Sequence, residues 1–312
     1  MKIVKGKQTR PQRVVIYGPE SVGKSTLAAA TPNPLFIDTE DGTAQLDVAR
    51  VQATTFEEIE GAIKELAKDP QGFKTVVLDT LDWAEKNMIE DILRKGKKDS
   101  IEDFGYGKGY VYVTEAVAKF LASLDTLIDR GLSVVLLAHS QVKKFDPPDA
   151  GQGYDRYELK MSKGCAPLVK EWADAILFVN FDTRVREPEQ GKAKGVGGKE
   201  RVIHTVRCAA WDAKNRHGLA EKLPMSYDSI ASLFAPSPAK AKPVEPAQDN
   251  WFATLEGMLD EGGKAAVNEF LIARGKISEG MTFRNLDDED WKSRIIANPA
   301  KFLAAAGVKE AA

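Results

Sequence analysis

The chain has 312 residues, more than one typical domain and enough for two. Hydrophobic residues are 43% and charged residues 29%, so most of the chain has the means to bury a core. The 44 Lys and Arg nearly balance the 46 Asp and Glu, which excludes a globally basic, histone-like binder but leaves room for a local basic face.

Residues 1–12 are polar and basic, and RVVIY at Arg13–Tyr17 then reads as a short buried strand. Runs of the same kind recur at Leu35–Asp38, Thr75–Asp79, Ser133–His139 and Ala175–Phe181. Each is almost continuously apolar, as strands covered on both faces of a parallel sheet must be. Helical stripes lie between them. Thr55–Leu66 puts Phe56, Ile59, Ile63 and Leu66 on one face behind a Thr suited to capping. Val111–Leu127 repeats the stripe with Val113, Val117, Phe120, Leu121, Leu124 and Leu127. Alternating strands and helices predict an α/β domain with a mostly parallel central sheet over residues 1–234. Residues 201–210 alternate apolar and polar, which predicts a later strand with one wet face. APSPAKAKPVEPAQ at 235–248 predicts an extended Pro/Ala-rich linker. Residues 249–312 predict a small helical region, with helices at Trp251–Leu259, Lys264–Ala273 and Trp291–Ala305.

The two cysteines, Cys165 and Cys208, are too few for a disulfide framework or a four-thiolate zinc site and read as small buried hydrophobes. No two of the three histidines are spaced as ligands. No apolar run reaches the roughly 18 residues that span a bilayer, and the opening MKIVKGKQTRPQR lacks the apolar core of a signal peptide. The expectation is a cytoplasmic protein with no membrane partner.

GPESVGKST follows RVVIY directly, and its residues Gly18, Pro19, Glu20, Ser21, Val22, Gly23, Lys24, Ser25 and Thr26 fit G-x-x-x-x-G-K-[ST]. A triphosphate carries several negative charges, and such a loop answers them with backbone N–H groups, which side chains near the glycines would block. The helix starting near Lys24 adds its unpaired N–H groups. Lys24 would reach the β- and γ-phosphates and Ser25 would ligate Mg²⁺, making ATP and Mg²⁺ the expected cofactors. Asp79, at the end of a buried strand, would hold Mg²⁺ through water. Just past another strand end, Glu40 would deprotonate the attacking water, with Asp38 and Asp41 as competitors. A solvated acidic loop is the plainer account of that cluster.

FIDTEDG, TVVLDT and VVLLAHSQ, with the phosphate loop, resemble the RecA-type ATPase core over about residues 10–235. Together with WDAKNRHGL, they resemble most the short phage-encoded RecA-like ATPases that act as single-strand annealing recombinases. The resemblance implies that Glu40 is the catalytic base and Asp79 the magnesium carboxylate. It implies a γ-phosphate sensor among His139, Ser140 and Gln141, and a cation pair, Lys214 and Arg216, reaching into a neighbouring subunit's site in a ring or filament. His139 could equally hydrogen-bond across strand ends. Single-stranded DNA is the implied partner, and for a phage protein the compartment is the host cytoplasm.

Two basic, aromatic-rich loops suit such a strand, since cations track phosphates and rings stack bases. The first, Arg94–Lys108, carries Lys97, Lys98 and Lys108 with Phe104 and Tyr106; Tyr110 follows it. The second, Gln141–Lys163, carries Lys143, Lys144, Arg156, Lys160 and Lys163 with Tyr154 and Tyr157. Two solvated loops without a ligand are the bland alternative. Arg184–Arg216 is also net basic and reads as a solvated hairpin with its tip at GKAKGVGG. Trp83, Trp172 and Trp211 read as packing residues. The tail's amphipathic segments would suit a partner such as a single-strand DNA-binding protein, or simple docking. The same site residues would serve a hexameric helicase-type motor, or an ATP-gated DNA-binding or loader protein with little turnover.

Overall fold

The computed structural model describes residues 10–147, 151–186, 194–234 and 258–308. The chain divides into two compact units, Met1–Ser237 and Pro238–Ala312. The predicted linker at 235–248, most of the predicted helix at Trp251–Leu259 and the start of the GKAKGVGG tip lie outside the described residues.

The first unit is built on a nine-stranded sheet. Its strands are β1 (Arg13–Gly18), β2 (Pro34–Asp38), β3 (Ala49–Gln52), β4 (Thr75–Asp79), β5 (Ser133–Phe145), β6 (Tyr154–Leu159), β7 (Ala175–Arg186), β8 (Lys194–His204) and β9 (Lys222–Pro224). The order is β3-β2-β4-β5-β1-β7-β8-β9, and β6 pairs with the far half of β5. The six strands from β3 to β7 are parallel, and β8, β9 and β6 join antiparallel. The helices are α1 (Lys24–Ala29), α2 (Phe56–Lys68), α3 (Leu81–Gly96), α4 (Lys108–Asp129) and α5 (Cys165–Trp172).

Two cores explain the continuous apolar runs. Val15, Tyr17, Leu35, Ile37, Val76, Leu78, Val134 and Leu136 point to one face, where Ile59, Ile63, Val117 and Phe120 of α2 and α4 cover them. Val14, Ile16, Phe36, Val77, Val135 and Leu137 point to the other, against Leu27 and Ala28 of α1 and Ile230, Leu233 and Phe234. Alternate residues thus serve opposite faces and both are buried. The α2 stripe begins where expected, with Thr55 and Glu58 forming a reciprocal capping box.

Several expectations need correction. β5 does not stop at His139. It runs on to Phe145 and pairs with β6 as a ribbon, so much of the expected second basic loop is strand. The expected first loop is also ordered: α3 ends at Gly96, a 3-10 turn spans Ile101–Phe104, and α4 starts at Lys108. The late strand covers Lys194–His204 rather than 201–210, and Cys208 is exposed while Cys165 is buried.

The second unit packs α6 (Glu261–Ala273), α7 (Glu289–Ala297) and α8 (Pro299–Ala305) around Leu259, Val267, Leu271, Ile277, Phe283, Leu286, Ile295 and Leu303. One helix was expected over Trp291–Ala305. Asn298 divides it, its side chain capping α8 at Lys301 N–H with Pro299 in the first helical turn. Among the described residues, no helix is long and apolar enough to cross a membrane.

Candidate active site

Strand register gathers the predicted motifs at the carboxyl edge of the sheet. Gly18 of β1 lies beside His139 of β5, and Asp38 of β2 lies beside Asp79 of β4. A Cβ on Gly18 would come within 2.1 Å of the Val179 carbonyl oxygen, so close approach to β7 demands this glycine. Gly23 has φ +100°, a left-handed conformation that glycine adopts without strain. It opens α1 with no side-chain cap and no acidic residue in the first turn. The leading N–H groups are left for an anion, which the helix dipole favours.

A cleft of about 520 Å³ lies here, lined by Glu20, Ser21, Gly23, Lys24, Ser25, Thr26, Glu40, Asp79, Thr80, His139 and Arg201, among others. Lys24 is buried, and its ammonium donates to the carbonyls of Pro19 (2.9 Å) and Gly18 (3.2 Å). Burial lowers its pKa, while the charges of Asp79, Asp82, Glu40 and Glu20 oppose that shift. Asp79 is 4% exposed. Burial raises its pKa, against a hydrogen bond from Ser25 and the charge of Lys24. Its peptide bond to Thr80 is cis.

The three acidic residues after β2 separate by what they touch. Asp38 accepts from the N–H groups of Glu40, Gly42 and Thr43 and from the Thr43 hydroxyl. Burial works to raise its pKa, but these bonds outweigh it and hold the carboxyl below its usual range. Asp38 therefore builds the turn. Asp41 is exposed and accepts from Gln52 at 2.6 Å. Glu40 is the member that lines the cleft. Burial raises its pKa, His139 opposes this, and the charges of Asp79, Asp82 and Asp38 add to it. Thr39 clips the β2 and β4 ends together, its hydroxyl accepting from Thr80 N–H (2.8 Å) and donating to the Thr80 carbonyl (3.0 Å). That clip holds the turn carrying Glu40 against the end of β4, and Glu40 and Asp79 line the same cleft.

Of the three sensor candidates, His139 lines the cleft. Its Nδ1 lies 2.9 Å from Asp82 Oδ2, and its backbone N–H donates to Asp82 Oδ1 at 3.0 Å. His139 therefore faces the cleft, and its partner lies in the first turn of α3 rather than at another strand end. Gln141 donates instead to the carbonyl of Leu159 (2.8 Å), and Ser140 is half-buried in β5. Asp82, in the first turn of α3, escaped the sequence reading. Its signal is the second carboxylate of TVVLDTLD, three residues after the strand-end Asp79.

Lys214 and Arg216 differ. Lys214 donates to the carbonyls of Lys170 (3.0 Å), Glu171 (3.1 Å) and Ala173, which end α5. Its bridge to Ile176 lies near the start of β7, toward the amino edge of the sheet and away from its own phosphate loop. Arg216 is exposed.

Among the DNA candidates, Lys97, Lys98, Lys108, Lys144, Lys160 and Lys163 are exposed and Lys143 is half-buried. Arg156 is a correction. It is 3% exposed and bonds Asp212 at 2.6 Å, in a cluster with Lys170 and Arg207 and with the Phe145 ring. A buried guanidinium with those partners has no access to a phosphate backbone. Trp172 and Trp211 pack: Trp172 donates to Asp125, and Trp211 stacks on Phe178 beside His204.

The donor set fits a nucleotide-bound Mg²⁺. That ion takes one or two carboxylates, hydroxyls, waters and phosphate oxygens rather than a protein cage. Ser25 and Asp79 supply a hydroxyl and a carboxylate, and the buried Thr80 hydroxyl beside them lacks a hydrogen-bond partner. Among the described residues, no cluster of three or more His, Cys, Asp or Glu could hold a metal alone. Arg201, a cleft residue on β8, also went unnoticed in the sequence, hidden in a net basic stretch.

Residues 10–217, two thirds of the chain, match the AAA domain family. No curated protein matches the chain.

Proposed function

The chain belongs to the AAA-type P-loop ATPase family, and from that premise we propose that it is a Mg²⁺-dependent, DNA-stimulated ATPase that binds single strands and promotes their annealing or exchange. The observation that carries this reading is the convergence of the phosphate loop, Glu40, Asp79 and the His139–Asp82 pair on one cleft. Lys24 and the first N–H groups of α1 hold the triphosphate. Ser25 and Asp79 hold Mg²⁺, which neutralises phosphate charge when bound. Glu40 takes the proton of the attacking water. Its raised pKa favours that step, because a base closer to neutrality takes and returns a proton more readily.

The DNA part rests on β5. One continuous strand joins His139 in the cleft to half-buried Lys143 and exposed Lys144 on the ribbon, so a shift at the γ-phosphate has a stiff path to those cations. The His139 carbonyl also accepts from Lys160 N–H at 2.9 Å, tying the return strand to the same point. Tyr106, Tyr110 and Val111 stand exposed near Lys108, an aromatic and basic surface suited to unstacked bases. Lys143, Lys144, Lys160 and Lys163 with Lys97, Lys98 and Lys108 are the proposed phosphate contacts. Arg216 is the proposed trans cation, which makes a homo-oligomer part of the mechanism.

The test is ATP hydrolysis with and without a single-stranded oligonucleotide, for the parent, Lys24→Ala and Glu40→Gln. The expected result is stimulation in the parent, loss of binding in Lys24→Ala, and retained binding without turnover in Glu40→Gln. Full activity without DNA, unchanged on adding it, would remove the recombinase reading. Directional unwinding of a forked duplex would favour a motor, and binding without turnover in the parent would favour a loader.

A further inference from the structure

We infer that Arg201 contacts the polyphosphate of a nucleotide held in the loop of its own subunit. The inference rests on the nucleotide-binding reading of the cleft and adds to it a second cation acting in cis.

Arg201 sits on β8, opposite Phe181 of β7, and its carbonyl accepts from Met225 N–H at 3.1 Å. Its backbone is thereby fixed between two strands. Its side chain lies over the phosphate loop. Nη1 donates to the Val22 carbonyl at 3.3 Å, and a Cβ added to Gly23 would lie 2.6 Å from the same nitrogen. The guanidinium thus sits against the turn whose N–H groups would cradle the phosphates of a bound nucleotide. Arg201 lines the cleft and also a neighbouring groove of about 680 Å³ along Lys199, Lys222, Leu223 and Met225.

Charge explains why a second cation is needed. The cleft is lined by three carboxylates, Glu20, Glu40 and Asp79, and Lys24 is the lysine among its lining residues. Mg²⁺ with a nucleoside triphosphate adds further net negative charge. Lys24 is already partly desolvated, and Lys214 is committed to the end of α5. A guanidinium offers five N–H donors in a planar fork suited to phosphate oxygens, and the Val22 bond engages one of them.

The rival account is a mechanical brace, with Arg201 holding the loop through Val22 alone. Binding of Mg²⁺-ATP and of Mg²⁺-tripolyphosphate, measured on the full chain for the parent, Arg201→Gln, Arg201→Lys and Lys24→Ala, separates the two. Thermal melts establish that each variant is folded. The expected result is a loss of about tenfold or more in Arg201→Gln, by the same factor for both ligands, and a smaller loss in Arg201→Lys. Gln affinity within about twofold of the parent, or equal losses in Gln and Lys, overturns the inference. A parent that binds neither ligand, or Lys24→Ala binding as the parent does, instead overturns the nucleotide reading beneath it. Mixing Arg201→Gln with Lys24→Ala chains should restore no hydrolysis. Restored hydrolysis would place Arg201 in a neighbour's site and sink the assignment in cis.

Discussion

Glu40 and Asp79 hold their charges at a cost. Both are pushed toward the neutral form by burial; the charge of Asp79 adds to the shift of Glu40, and that of Asp38 adds to the shift of Asp79. A carboxylate with a raised folded pKa weakens the fold once pH exceeds its unfolded value, and stability returns as pH falls. Glu40→Gln should therefore raise the melting temperature of the nucleotide-free protein at neutral pH, by on the order of a degree or two. The same change should cut turnover by about 10²–10⁴ with ATP binding kept, as removal of a general base does. A melt that falls while turnover survives would mean that Glu40 is a structural carboxylate like Asp38. Lys214 and Arg216 divide in the opposite way. Lys214 satisfies the last carbonyls of α5, where charged hydrogen bonds are worth about 1.5–3 kcal/mol each. Truncating Lys214 to Ala should lower the melting temperature by several degrees. Arg216 is exposed, and Arg216→Ala should change stability by less than about 0.5 kcal/mol. Lost turnover in that variant, with binding kept, would then report a contact with a neighbouring subunit.

The β5–β6 ribbon is where element and residue readings diverge. A strand of 13 residues is long, and its burial changes at His139 from continuous to alternating. That change marks where the strand leaves the sheet's core and becomes a ribbon with one wet side. The ribbon's lysines, Lys143 and Lys144, are half-buried and exposed, and its Arg156 is buried. Replacing Lys143 and Lys144 together by Ala should leave the fold stable, weaken single-strand binding and reduce the salt slope by about one to two. Arg156→Ala should cost about 3–5 kcal/mol in urea unfolding, because it strips Asp212 of a buried partner. Equal DNA defects with equal stability in both variants would contradict this division. The sequence made the sheet legible because two-sided burial writes itself as unbroken apolar runs such as TVVLD. It made the cleft positions of the phosphate loop, Glu40 and Asp79 legible because each lies at the end of such a run or within two residues of it. It could not display β3, whose residues are mostly exposed, or β9, three residues long. Nor could it display Arg201, which meets Gly23 only because β8 folds back beside β7. Arg156 misled for the same reason: its partner Asp212 lies 56 residues away, and a basic residue between two tyrosines reads as surface until that contact is known.

At the scale of the first unit, acidic side chains with depressed pKa values fix the backbone, Asp38 within its own turn and Asp82 and Asp212 between distant elements. Burial works to raise the pKa of Asp38, Asp82 and Asp212, yet all three end below the usual carboxylate range. The causes that win are Thr43 for Asp38, His139 for Asp82, and Lys170 with Arg156 for Asp212. Asp212 reaches furthest. It draws together β6 through Arg156 and α5 through Lys170, while its own N–H donates to the Tyr17 hydroxyl at 3.0 Å and its carbonyl accepts from that hydroxyl at 2.6 Å. Tyr17 immediately precedes the phosphate loop, so this network underlies the site as well as the fold. A carboxyl with a depressed folded pKa binds its proton more readily when unfolded. Its stabilisation is full above the unfolded value, about 3.9 for Asp, and is lost as pH falls through the folded value. Asp212→Asn should therefore weaken the unit by about 3 kcal/mol at neutral pH, the order expected when one partner of a buried pair is removed. The deficit should shrink as pH falls below about 4, because protonation then removes the same charge from the parent. Urea midpoints of parent and variant, followed from pH 7 to about 2, test this. A deficit that stays constant across that range would mean that Asp212 works through the shape and acceptor oxygens of its side chain, not through its charge.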